Sequence, residues 1–145
     1  MKEKTIDYVL RSTWIAVSKM YSEEAGKAGS TMATGFALLS IDPEKGTPST
    51  TLGPKMGMEA TSLSRTLKSM EEKGLITRKK NPADGRGVLI FLTKFGKEMR
   101  DYSKGVVFQF DEAVKNEVSK EDMETFNKVA NKIMDLIASK KIYNQ

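Results

Sequence analysis

The run from Met58 to Arg78 constrains the fold of this 145-residue chain more than any other segment. Stepped at about 100° per residue, it gathers Leu63, Leu67 and Met70 with Ala60 on one side of a helix. Thr61, Ser62, Arg65, Lys68 and Ser69 fall on the opposite side, which carries small hydroxyls and two cations but no carboxylate. Gly74 is the left-handed stop such a helix needs, and Leu75-Ile76-Thr77-Arg78 turns at once to strand-forming residues. A helix pinned by three large apolar residues, with short donors and an arginine facing outward, suits the major groove of duplex DNA.

The flanking segments read mostly as helices. Ile6, Val9, Leu10, Thr13, Val17, Met20 and Tyr21 recur at helical spacing over residues 5–24, and Gly26 and Gly29 end that helix. Ser30 or Thr31 caps a second helix that runs to Ile41, before the Asp42-Pro43-Glu44-Lys45-Gly46 turn. A short third helix begins at Thr50 or Thr51, with Pro54 in or near its first turn and Gly57 at its end. Val88-Leu89-Ile90-Phe91-Leu92 makes a second strand. It is joined to the first by a cationic loop of turn formers around Asn81-Pro82 and Asp84-Gly85-Arg86-Gly87, so the pair reads as a β-hairpin. A long helix follows over residues 94–116, and Ser119 with Asp122 three residues on resembles a capping box for a last helix. Met70, Met123 and Met134 fit core stripes. The fold class is mainly α with a small β-hairpin (α+β).

Composition narrows the chemistry. Between Ala60 and Ile90 stand seven cations (Arg65, Lys68, Lys73, Arg78, Lys79, Lys80, Arg86) against three acids (Glu71, Glu72, Asp84), so this stretch holds +4 of the net +5. A local basic patch on a nearly neutral scaffold is an electrostatic footprint for a polyanion. The chain has no Cys and no His, which removes thiolate and imidazole metal sites, cysteine redox sensing and the commonest general base. There is no nucleophile–base pair and no phosphate loop, so neither catalysis nor a cofactor is expected. No apolar stretch reaches the length of a membrane span, so no membrane partner is expected and the cytoplasm is the expected location.

Helix, glycine turn, helix and basic hairpin in that order make a winged helix–turn–helix. Its second helix lies in the major groove, and the hairpin tip carries an arginine into the neighbouring minor groove. The candidate DNA-binding residues are therefore Thr61, Ser62, Ser64, Arg65 and Lys68 on the helix, Arg78, Lys79 and Lys80 against phosphates, and Arg86 at the tip. For Arg65 the alternative is a surface ion pair with Glu71 or Glu72. For Thr61 and Ser62 it is satisfaction of first-turn backbone donors.

At these residues the chain resembles the MarR family of transcriptional regulators. The likeness rests on Leu52 to Met58, Ser62-Leu63-Ser64-Arg65, Met70 to Arg78, Asp84-Gly85-Arg86 and Leu92-Thr93-Lys94-Phe95-Gly96. It departs from the family in Gly53, Glu59 and Gly85. The resemblance implies a homodimer in which helices over residues 1–30 and 98–145 pair, while residues 31–97 form the DNA-binding lobe. It also implies a pseudo-palindromic double-stranded operator and release by a ligand or oxidant. The family's tip arginine falls on Arg86, and Asp84 orients it or pairs with Arg78. In similar proteins a small-molecule effector sits between the dimerisation helices and the lobe, which would place Trp14, Met32, Phe36, Tyr102 and Phe108 around it, unless these are simply core residues. The expected function is a regulator, most often a repressor relieved by a small apolar or amphipathic ligand. A ligand-independent DNA-binding activator of the same fold and a protein-interaction winged helix stay open as alternatives.

Overall fold

The computed structural model describes residues 3–83 and 87–143. Its elements run α1 (Ile6–Lys27), α2 (Met32–Ser40), β1 (Thr47–Pro48), α3 (Ser49–Met56), α4 (Ala60–Glu72), β2 (Ile76–Lys80), β3 (Val88–Leu92), α5 (Lys94–Glu117) and α6 (Lys120–Ala138). The chain forms two compact units, Met1–Val106 and Val107–Gln145.

In the first unit, one core joins five elements. Ala37, Leu38 and Ile41 come from α2 and its end, Leu52 from α3, and Leu63, Leu67 and Met70 from α4. Leu75 and Ile76 enter from β2 and its approach, and Ile90 and Leu92 from β3. The sheet has the order β1-β3-β2, with both neighbours of β3 antiparallel to it. The expected hairpin is thus present, with a third strand beside it. Thr47 and Pro48 pair with Ile90 and Leu89, and the buried Thr47 hydroxyl accepts from the Asp42 amide at 2.8 Å. Asp42 in turn accepts from the amides of Glu44 (2.8 Å) and Lys45 (3.0 Å). Those two donors, Lys45 first, hold its carboxyl below the usual carboxylate range. Gly46 then turns at φ 73°, where a Cβ would come within 2.7 Å of the Phe91 ring.

Several boundaries differ from expectation for identifiable reasons. Helix α1 passes through Gly26 to Lys27, and the chain turns at Gly29, φ 68°. Of the two proposed caps for α2, Thr31 is the one used, accepting from Thr34 N at 3.1 Å. Helix α3 starts at Ser49, ahead of Thr50 and Thr51, because Pro48 belongs to the sheet and ends where the helix begins. Thr51 donates its hydroxyl to the Pro48 carbonyl at 2.9 Å and does not cap. Pro54 therefore lies in the later half of α3, where its missing N–H removes a rung to Thr50.

The second unit holds the end of α5 and all of α6. Ser119 caps α6 by accepting from Asp122 N at 3.0 Å, as the spacing suggests. Met134 is not a core residue: it stays 57% exposed, and no residue of α6 is fully buried among the described residues. Met123 is half-buried. No helix among the described residues is long and apolar enough to cross a membrane.

Candidate nucleic-acid interface

The turn between α3 and α4 is built on two glycines. Gly57 takes φ 65°, and Met58 N donates back to Gly53 O at 2.9 Å, closing the end of α3. A Cβ on Gly53 would meet the Met58 carbonyl at 3.2 Å, so this glycine admits the close return of the chain. Its role is thus steric. Glu59 stands at the N-cap of α4 without a side-chain cap bond, while its carboxylate suits the positive end of the helix.

Along α4 the apolar residues behave as their spacing requires: Leu63, Leu67 and Met70 are buried. Ala60 is exposed, at the first position of the helix. Thr61, Ser62, Ser64, Arg65 and Lys68 are all exposed. Arg65 makes no ion pair among the described residues, so neither Glu71 nor Glu72 holds it. The helix closes at Gly74, φ 74°, with Leu75 N donating to Met70 O at 2.9 Å.

A tight joint ties the end of α4 to α5. Thr93 Oγ1 donates to Gly74 O at 2.6 Å and accepts from Gly96 N at 2.9 Å, and Thr93 N donates to Leu75 O at 3.0 Å. Gly96 is buried against Leu75, where a Cβ would fall 2.0 Å from the carbonyl oxygen.

Strand alternation separates the three wing cations. Arg78 shares the face of Ile76, stands opposite the buried Ile90, and reaches α4, its Nε 3.4 Å from Glu71 Oε2. Lys80 follows on that same face. Lys79 lies on the other, with Nζ 5.1 Å from the Phe91 ring centroid. Asn81 N donates to Gly87 O at 3.0 Å, extending the hairpin by one bond. Asp84 and Arg86, expected at the tip, lie outside the described residues.

Of the five expected pocket residues, Trp14 and Phe36 come together, stacked at 6.4 Å between centroids and 19° between planes. Tyr21 meets the Phe36 edge at 6.0 Å, a partner that the sequence reading placed only in the α1 stripe. Its spacing of seven from Trp14 could have flagged it. Tyr102 donates its hydroxyl to Glu24 O at 3.2 Å, and Glu24 also bonds Lys27 at 2.7 Å, raising the lysine pKa through that bond and its charge. Met32 is half-buried, and Phe108 belongs to the second unit. In the first unit, Ser18 Oγ and Arg100 Nε are buried with no hydrogen-bond partner among the described residues. No described group of three or more His, Cys, Asp or Glu could hold a metal ion.

A model described as "MarR family" matches residues 31–88. The HTH-type transcriptional regulator SarZ of Staphylococcus saprophyticus is 33% identical over 99 residues, covering 64% of this chain and 68% of its own. The organic hydroperoxide resistance transcriptional regulator of Bacillus subtilis is 29% identical over 99 residues, with 68% and 67% covered. Among solved structures, a Staphylococcus aureus MepR–DNA complex matches with a TM-score of 0.83 at 18% identity, covering 92% of this chain and 98% of that one. PcaV of Streptomyces coelicolor, solved with its natural ligand, matches at 0.75 and 16% identity, covering 93% and 98%. At such identities the structural matches speak for the fold, a winged helix with a small three-stranded sheet.

Proposed function

The chain belongs to the MarR family of transcriptional regulators, and from that premise we propose that it is a homodimeric repressor, held on a pseudo-palindromic DNA site and released by a small apolar or amphipathic molecule. It is a DNA-binding regulator and not an enzyme. The observation that carries the finer reading is the outward side of α4, where Thr61, Ser62, Arg65 and Lys68 stand free while Leu63, Leu67 and Met70 anchor the helix.

In this reading Thr61, Ser62 and Arg65 meet base edges, and Ser64, Lys68, Lys79 and Lys80 meet phosphates. Arg86, oriented by Asp84, enters the minor groove. Residues 31–97 make up the lobe that meets DNA, and the helices over 1–30 and 98–145 pair two copies. Support for pairing comes from Ile6, Val9, Leu10 and Ile15 on α1 and Phe126, Val129 and Ile137 on α6, all exposed in one chain. A second copy would also set two recognition helices at the spacing of successive major grooves, about 34–36 Å.

A ligand that favours another spacing would release the operator by shifting the population. The stacked Trp14 and Phe36, with Met32 and Tyr102 of the same unit, are the residues assigned to that ligand. The relative from Bacillus subtilis is named for organic hydroperoxide resistance. This chain carries no cysteine, so its relief rests on binding and not on thiol oxidation. The protein would act in the cytoplasm, where the DNA is.

Selection of bound duplexes from a random pool tests the reading. It should recover a two-fold related site, and Arg65→Ala should cost about 1–3 kcal/mol on that site while nearly sparing random duplex. Equal losses on both would reduce Arg65 to a phosphate contact, and absence of duplex binding would refute the regulator itself.

A further inference from the structure

Arg78 is the one wing cation with an acidic partner among the described residues, and that partner lies on the recognition helix. Glu71 occupies the last turn of α4, on the edge it shares with Ser64 and Lys68 at helical spacing. The ion pair therefore bridges the helix assigned to one groove and the hairpin assigned to the next. In that assignment a duplex backbone crossing between the two grooves would run beside the helix and hairpin that this pair joins.

The pair is poorly suited to be permanent. Its contact from Arg78 Nε to Glu71 Oε2 is 3.4 Å long, and the side chains remain 34% and 47% exposed. An open pair of this kind shifts an equilibrium by roughly fivefold at most. A phosphate offers the same guanidinium a charge-assisted and often bidentate acceptor.

We propose that Glu71 stands, in the free chain, where a DNA phosphate stands in the complex, and that Arg78 exchanges the carboxylate for the phosphate on binding. This rests on the DNA-binding reading above. Glu71 is then an internal competitor that sets affinity for duplex in general, because phosphate contacts carry no sequence information. Sequence choice stays with the outward residues of α4.

Titrations of selected and random duplexes against five variants of the full chain, three single and two double, test the exchange, with melting curves to check folding. Glu71→Gln should tighten both duplexes by roughly two- to fivefold, and this gain should vanish in the Arg78→Ala background. Glu72→Gln removes the same charge from an adjacent exposed residue with no ion-pair partner among the described residues. Its gain should be smaller and should survive Arg78→Ala. Arg78→Ala alone should lower the log–log salt slope by about 0.9. Weaker binding by Glu71→Gln, a gain no larger than that of Glu72→Gln, or an unchanged salt slope in Arg78→Ala would overturn the exchange while leaving the regulator intact. A wild-type chain that bound no duplex would remove both.

Discussion

Gly96→Ala sets two physical effects against each other, and the structure decides the sign. Gly96 is the third residue of α5, so added helix propensity favours alanine by about 1 kcal/mol. The new Cβ would lie 2.0 Å from Leu75 O, whereas real Cβ atoms essentially never come under 3.0 Å of a neighbour, so the backbones must part by at least 1 Å. That movement strains three hydrogen bonds, Thr93 Oγ1 to Gly74 O, Gly96 N to Thr93 Oγ1 and Thr93 N to Leu75 O. At about 1 kcal/mol each they outweigh the propensity, leaving a net loss of about 2 kcal/mol. For a chain of this size the melting point should fall by roughly 5–8 °C. Thermal and urea unfolding followed by circular dichroism would measure it, with the urea midpoint lowered and the slope unchanged. Gly105→Ala, in the same helix with nothing within 4 Å of its Cβ, should instead stabilise by about 0.5–1 kcal/mol. A Gly96→Ala chain as stable as the parent would refute the steric argument.

Two further outcomes follow from other parts of the molecule. Asp42 has its pKa lowered by the amides of Lys45 and Glu44, so its contribution to stability is present above the ordinary value of 3.8 and is lost as pH falls through the folded value. Asp42→Asn should therefore melt lower than the parent at neutral pH, and the gap should close below the usual carboxylate range; a gap independent of pH would contradict the assignment. Phe126→Glu places a charge on the exposed stripe of α6 and should convert dimers to monomers in sedimentation, with unchanged dimers denying α6 a part in pairing.

What could be read from residues alone follows from the range of each signal. Helix α4 was legible because Leu63, Leu67 and Met70 repeat at the helical period and Gly74 closes the run, all within one local window. Strand β1 was not, since two residues have no periodicity and their partners Ile90 and Leu89 lie some forty positions away. The start of α3 was misplaced for the same reason: the sheet claims Pro48, overriding the capping preference of Thr50 and Thr51. Period-two alternation could have separated Lys79 from Arg78 and Lys80, although Glu71 as the partner of Arg78 needs the tertiary fold. Ser18 Oγ and Arg100 Nε, buried without a partner among the described residues, had no sequence signal, because burial of a polar atom is decided by whatever packs across it.

Trp14 is the only tryptophan in the chain. Its indole is half in water and half against Phe36, at the place assigned to an effector. The protein thus carries its own optical reporter. A molecule wedging between those rings must change the solvent shell of the sole strong near-ultraviolet emitter, so occupancy can be followed by intrinsic fluorescence in unlabelled protein, with or without DNA present.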